Sequence, residues 1–256
     1  MTGNVRYEYA DGLATITLAD PAGANALGTE VGAAMVSAVL RARSDRARVI
    51  VIRAEGRFFS VGGDLSGMGT ADDPSAFVLE LAEGAHRFIT ELIKSDAIVV
   101  SAVQGVAAGI GFSIAAAADI VVASEKAAFN LAYVKVGLSL DGGGSMLVHT
   151  LGLHRVLRLA LLAENLTAQE AADCGLVARV VAPEELDATV DGIVRTLLAG
   201  SRDSLAATKH LVRRTAEPAA QEALRRESES ISRLAGGPDG REGVAAFLAK
   251  RAPDFS

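Results

Sequence analysis

The sequence predicts an α/β fold that ends in an all-helical region, and three features carry that expectation. Two short apolar runs, 49–53 and 97–103, are rich in β-branched and small residues and read as buried strands. Segments with apolar residues at helical spacing alternate with such runs up to about Leu198. From Ser201 onward the spacing is helical throughout, interrupted near Gly236-Gly237-Pro238. Strands that alternate with helices pack as α/β layers. The chain therefore divides into 1–198, a core, and 199–256, a helical region.

Residues 5–9 and 13–18 alternate apolar and polar around Asp11-Gly12, the signature of a hairpin. Residues 29–43 form a helix by spacing, and 49–53 the first buried strand. The segment 67–74 is small and polar, lacks anchors and reads as mobile. Pro74 then opens an amphipathic helix over 76–93. Strand 97–103, helix 109–118 and strand 119–123 follow, and 129–136 fits either state. Asp141-Gly142-Gly143-Gly144 precedes a helix through His149, and Gly152 separates it from the next. Thr167-Ala168-Gln169-Glu170 is a capping box for a short helix that Gly175 ends. Residues 176–181 read as a last strand, and Pro183 starts a helix to about Leu198. No sequence repeat is evident.

Half of the 256 residues are hydrophobic, and mean hydropathy is +0.31, so a large core is available. The net charge of −6 is spread over interspersed acidic and basic residues, which argues against nucleic acid as a partner. No apolar run has the length of a membrane span, and no basic stretch with a hydrophobic signal core opens the chain, so a cytoplasmic location is expected. The single cysteine, Cys174, excludes an internal disulfide and reads as a buried structural thiol. His86, His149, His154 and His210 have no ligand-like spacing with one another, so no metal site is expected.

Chemistry is suggested by two strand–glycine-turn units. The first strand leads into Phe59-Ser60-Val61-Gly62-Gly63-Asp64-Leu65, where Asp64 is placed to cap a following helix. The second leads into Gln104-Gly105 and on to Gly109-Ile110-Gly111. Small residues let backbone approach a ligand. Two N–H groups aimed at one point hold a developing oxyanion. The alternative for each turn alone is tight helix packing. A P-loop is excluded because no Gly-Lys-Ser/Thr follows the glycines at 142–144, and the glycine spacing at 105–111 does not fit a dinucleotide-binding turn.

Together with Asn25-Ala26-Leu27, Ala118-Asp119-Ile120, Gly137-Leu138, Gly143-Gly144, residues 168–177 and 241–251, these turns resemble the crotonase superfamily of enoyl-CoA hydratases and isomerases, nearly end to end. The resemblance implies a β-β-α spiral core with a C-terminal helical part that packs trimers, which in turn pair into hexamers in some members. It implies an acyl-CoA substrate, with coenzyme A arriving as part of that substrate and no separate cofactor. The oxyanion-hole N–H groups fall on Gly63 and Ile110. CoA contacts carry over to Gly23, Val61 and Leu65. Phe247 and Lys250 match a pair that reaches a neighbouring subunit's CoA, and as a plain helix they read as a core Phe and a solvated Lys. Basic residues common near the CoA phosphates are replaced by Ala22 and Ser66.

The two glutamates of family hydratases fall on Ser113 and Tyr133, neither of them a carboxylate. A free phenol, with a pKa of about 10, stays protonated at neutral pH. Both residues then read as lining of the acyl site. Asp141 stands where certain isomerase branches carry a proton-shuttling aspartate, and its apolar neighbours Leu138 and Leu140 would desolvate it. Its structural alternative is a helix N-cap. The reading is double-bond isomerisation of an enoyl-CoA through an enolate. Hydration, an acyl-CoA-binding homologue without turnover, and hydrolysis or ring opening are the alternatives.

Overall fold

The computed structural model describes residues 3–216 and 219–255. The opening hairpin pairs β1 (Val5–Ala10) with β2 (Leu13–Leu18), and its Asp11 and Gly12 both take positive φ, as a two-residue turn of this kind requires. Helix α1 (Thr29–Ser44) leads into β3 (Val49–Ala54), and β4 (Phe58–Ser60) follows after a short turn. Helix α2 (Pro74–Lys94) precedes β5 (Ile98–Val103) and β6 (Val106–Ala108). Helix α3 (Ile110–Ala116) precedes β7 (Ile120–Ser124) and β8 (Ala128–Asn130).

These strands spiral. The first of each pair joins a six-stranded sheet of order β1-β2-β3-β5-β7-β10, parallel except for the hairpin. The second joins a four-stranded sheet, β4-β6-β8-β9, parallel except between β8 and β9. Here β9 is Asn165–Thr167 and β10 is Arg179–Val181. The repeat is therefore structural. Its small-sheet strands are three residues long, too short to carry a periodic pattern, and they went unread in the sequence.

Both faces of the large sheet are covered, which explains its unbroken apolar strands. Val49, Val51, Val100 and Val122 meet Leu186, Val190 and Val194 of α7 (Leu186–Ala199). Ile50, Ile52, Val99 and Val121 face the main core, with Met35 of α1, Phe88 of α2 and Phe112 of α3. Between β8 and β9 run α4 (Val148–Leu151) and α5 (Leu153–Leu162), and α6 (Ala168–Asp173) carries the expected capping box at Thr167.

Several expectations change. The strand expected over 176–181 begins only at Arg179, because Leu176 and Val177 turn inward and the Ala178 N–H bonds to Val121. The ambiguous 129–136 stretch splits into β8 and a short 3₁₀ helix, Ala132–Val136. The 67–74 segment is anchored after all: Met68 is buried with Val78, Leu138 and Val244. Asp64 caps no helix and instead accepts the Ser66 N–H; α2 is capped by Asp73. Cys174 is half-buried.

The C-terminal helices α8 (Arg202–Ala216), α9 (Ala220–Ala235) and α10 (Pro238–Leu248) fold back on the core. Lys209 and Arg213 of α8 converge on Asp119, each at 2.9 Å, and Lys209 also donates to the carbonyls of Leu92 and Ala97. Helix α9 lies along α2, and α10 lies on the 132–136 turn. There the backbones touch: a Cβ on Gly243 would lie 2.3 Å from the carbonyl carbon of Val136. Among the described residues no helix is long and apolar enough to cross a membrane.

Candidate active site

Parallel pairing of β4 with β6 releases the chain from both strands at the same edge, so the two glycine turns emerge side by side. The approach is close: a Cβ on Gly62 would meet the Ala108 carbonyl oxygen at 2.9 Å. The turns are also tied down. Ser60 Oγ accepts from the Gly62 N–H and donates to the Asn25 carbonyl, while Leu27 and Gly62–Asp64 exchange backbone bonds. The Gly109 N–H bonds to Asn130. Among the described residues, the N–H groups of Gly63 and Ile110 have no acceptor. Both residues border a cavity of about 140 Å³. Leu81, Leu138, Ile231 and Phe247 supply much of its apolar wall.

Asp141 borders the same cavity and is 1% exposed. Its side chain caps nothing, contrary to the structural alternative. The turn after it takes positive φ at Gly142 and Gly143, and its N–H groups are satisfied from elsewhere. Gly142 donates to His86 Nε2 at 3.2 Å. Gly143 and Ser145 donate to the two carboxylate oxygens of Glu227, at 2.6 and 2.8 Å. Tyr133 donates its hydroxyl to the Asp141 carbonyl at 3.0 Å. Asp141 Oδ1 lies 2.9 Å from His86 Nε2, yet neither Oδ1 nor Oδ2 has a hydrogen-bond partner in the protein. A buried acceptor left unpaired is costly, so Oδ2 is poised for a group that enters the cavity.

The electrostatics favour the neutral forms of Tyr133 and Glu227 and the protonated form of His86. Burial pushes the Tyr133 phenol well above its ordinary value, and the charges of Asp141 and Glu227 push it further. Burial likewise raises Glu227, against the N–H bonds it accepts. Burial alone would lower His86, but contact with Asp141 and the charges of Asp141, Glu227 and Glu83 together raise it. His86, Asp141 and Glu227 bring three ligand-type atoms within 4.8 Å of one another. The oxygens of Glu227 are already committed to N–H donors, and Nε2 receives one as well, so the set suits a shared proton better than a cation.

The family model described as enoyl-CoA hydratase/isomerase matches residues 8–256. The chain belongs to the enoyl-CoA hydratase/isomerase family. A trans-2-decenoyl-[acyl-carrier-protein] isomerase of Streptococcus mutans is 34% identical over 257 residues, covering 98% of this chain and 97% of that protein. A probable enoyl-CoA hydratase of Rhodobacter capsulatus is 35% identical over 253 residues, covering 98% and 97%. The crystal structure of an enoyl-CoA hydratase from Mycobacterium avium subsp. paratuberculosis superposes with a TM-score of 0.90 at 34% identity, covering 99% of this chain and 98% of that one. The α/β spiral with its helical C-terminal region is thus the crotonase fold.

Of the positions singled out in this hydratase/isomerase sequence, Val61, Gly63, Leu65, Ile110, Tyr133, Asp141 and Phe247 border one cavity. Gly23 does not; it lies exposed in the turn 20–25, where its N–H bonds to Asp20, and the Ala24 carbonyl of that turn accepts the N–H of Val61 on the cavity wall. Lys250 stands exposed beyond α10 and does not border this cavity. Phe247 faces its own chain's cavity while remaining 60% exposed. Ser113 requires a correction. It lies behind the Gly142–Gly143 turn, in a separate small void with Ile89 and Met146, because the first turn of α3 directs it away from Ile110. Sequence reasoning passed over His86 and Glu227. The signal was present: each occupies a core position of an amphipathic helix, His86 between Ala82 and Ile89, Glu227 between Leu224 and Ile231.

Proposed function

We propose that this enzyme shifts a double bond in an enoyl-CoA, using Asp141 to carry the proton. The observation that supports it is the cavity's composition: among its lining residues Asp141 is the sole carboxylate, it has a free Oδ2, and the cavity also holds the unpaired N–H groups of Gly63 and Ile110. The thioester carbonyl accepts from those two N–H groups. Asp141 takes a proton from C2 of a 3-enoyl thioester, and the electron pair moves onto the carbonyl oxygen as a dienolate. The two N–H groups hold that charge as it develops. The same carboxyl returns a proton to C4, and the double bond settles between C2 and C3.

Hydration needs a second group to position water, and among the described residues Tyr133 is the only other ionisable side chain on the cavity wall. Its hydroxyl is engaged with the Asp141 carbonyl, and its raised pKa keeps it from acting as a base. CoA is the expected carrier, with Val61 and Leu65 at the cavity mouth. Assembly into trimers or hexamers follows from the family as a further expectation. The test is conversion of 3-enoyl-CoA to 2-enoyl-CoA, followed by the absorbance of the conjugated thioester. Asp141→Asn should lose roughly 10²–10⁴-fold in kcat, the usual worth of a general acid–base group. Robust hydration of 2-enoyl-CoA that survives Asp141→Asn would overturn the reading.

A further inference from the structure

Asp141 faces the acyl cavity on one side and His86 on the other, and His86 also lines a second, much larger groove. That groove, of about 870 Å³, runs between α1, α2 and α9 and is bordered by Glu80, Glu83 and Arg225. A continuous chain of polar atoms joins the two spaces. Asp141 Oδ1 is 2.9 Å from His86 Nε2; His86 Nδ1 is 3.0 Å from Ser228 Oγ; Ser228 donates to Glu83 Oε1 at 3.0 Å. Asp141, His86 and Ser228 are all buried, and Glu83 is exposed.

The proton positions follow from the donors. Ser228 gives its hydroxyl hydrogen to Glu83, so its oxygen accepts from His86, which places a hydrogen on Nδ1. Nε2 accepts from the Gly142 N–H, so in the neutral ring it carries none. Nε2 and Asp141 Oδ1 at 2.9 Å would then oppose two lone pairs in a buried place unless a proton lies between them. The proton that Asp141 takes from the substrate fills that place, so the relay engages once the carboxylate has been loaded.

We infer that His86, Ser228 and Glu83 form a relay through which the proton taken up by Asp141 exchanges with water in the second groove, behind the bound acyl chain. His86 and Ser228 are positioning residues; neither borders the reacting carbons. In one passage the Asp141 O–H proton moves to Nε2, the Nδ1 proton moves to Ser228 Oγ, and the Ser228 proton moves to Glu83. Asp141 ends one proton poorer and Glu83 one richer, with His86 and Ser228 unchanged in charge. Glu83 passes its proton to water. The groups that face the His86 ring are Asp141, Glu227 and Glu83, with Ser228 between the last and the ring.

The inference rests on Asp141 as proton carrier, and two measurements keep the failure of one apart from that of the other. In deuterium oxide, wild-type enzyme acting on 3-enoyl-CoA should place solvent deuterium at C4 of the product. Ser228→Ala should continue to turn over but lose that deuterium, returning the substrate's own C2 proton to C4, and Ser228→Thr should restore exchange. Undiminished C4 deuterium in Ser228→Ala would overturn the relay while leaving Asp141 in its role. The second measurement needs no substrate. Nitrogen-15 spectra of histidine-labelled protein should show His86 with its hydrogen on Nδ1, and a resting ring with a bare Nδ1 and a hydrogen on Nε2 would overturn the relay whatever the reaction proves to be.

Discussion

At the scale of single residues, Ile110 joins two parts: its side chain packs in the core, and its N–H faces the cavity. What it offers the cavity is an N–H, and it is the first residue of α3, where proline is tolerated. Gly109 before it has φ 53° and ψ −126°, the mirror of an extended conformation, which a glycine ahead of proline can hold. Ile110→Pro removes the proposed oxyanion donor together with part of a buried side chain, and it should lower kcat by about 10²–10³-fold. Ile110→Val should retain activity. Steady-state rates of the two variants, with circular dichroism to verify folding, check the pair; equal rates would remove Ile110 from the oxyanion hole. Gly63, Ile110 and Asp141 were legible because each sits in a glycine-bearing turn that matches a segment of the family resemblance, in an order the whole chain shares. The sequence concealed Glu227, whose bonds to Gly143 and Ser145 join positions 84 and 82 residues apart.

At the scale of elements, the long strands and helices were readable from periodicity, since each buries a continuous face. The three-residue strands of the small sheet were not, because their identity comes from the neighbours they pair with. The same holds for α10. Its amphipathic pattern was visible, but not the reason for Gly243, which is contact of backbone with backbone at Val136. That contact steadies the turn that carries Tyr133, and Tyr133 holds the Asp141 carbonyl. Gly243→Ala must push α10 away, and overpacking of this kind costs about 1–3 kcal/mol. The expected outcome is a lower urea midpoint together with a lower kcat, because the loosened turn lies beside Asp141, the proposed proton carrier. Loss of stability with unchanged kcat would show that the turn holds its place without α10.

At the scale of the whole molecule, the buried cluster ties stability to pH. His86 and Glu227 both have folded pKa values above their ordinary ones of 6.5 and 4.5. The folded chain thus keeps protons that the unfolded chain releases, and this share of stability is complete below about pH 4.5 and is lost as pH rises through the folded values. Glu227→Gln should be less stable overall, since its amide cannot accept from two N–H donors, yet its stability should fall less steeply over that range. Urea unfolding at a series of pH values measures both slopes, and parallel slopes would exclude Glu227 as a contributor. The bond from Gly143 to Glu227 has a consequence in time as well. A ribosome adding about 5–20 residues each second needs roughly 4–17 s to travel the 84 residues between them. In the later part of that interval every strand has been made while the aspartate loop still lacks its buttress, so a nascent chain can be mostly folded and still be silent as a catalyst.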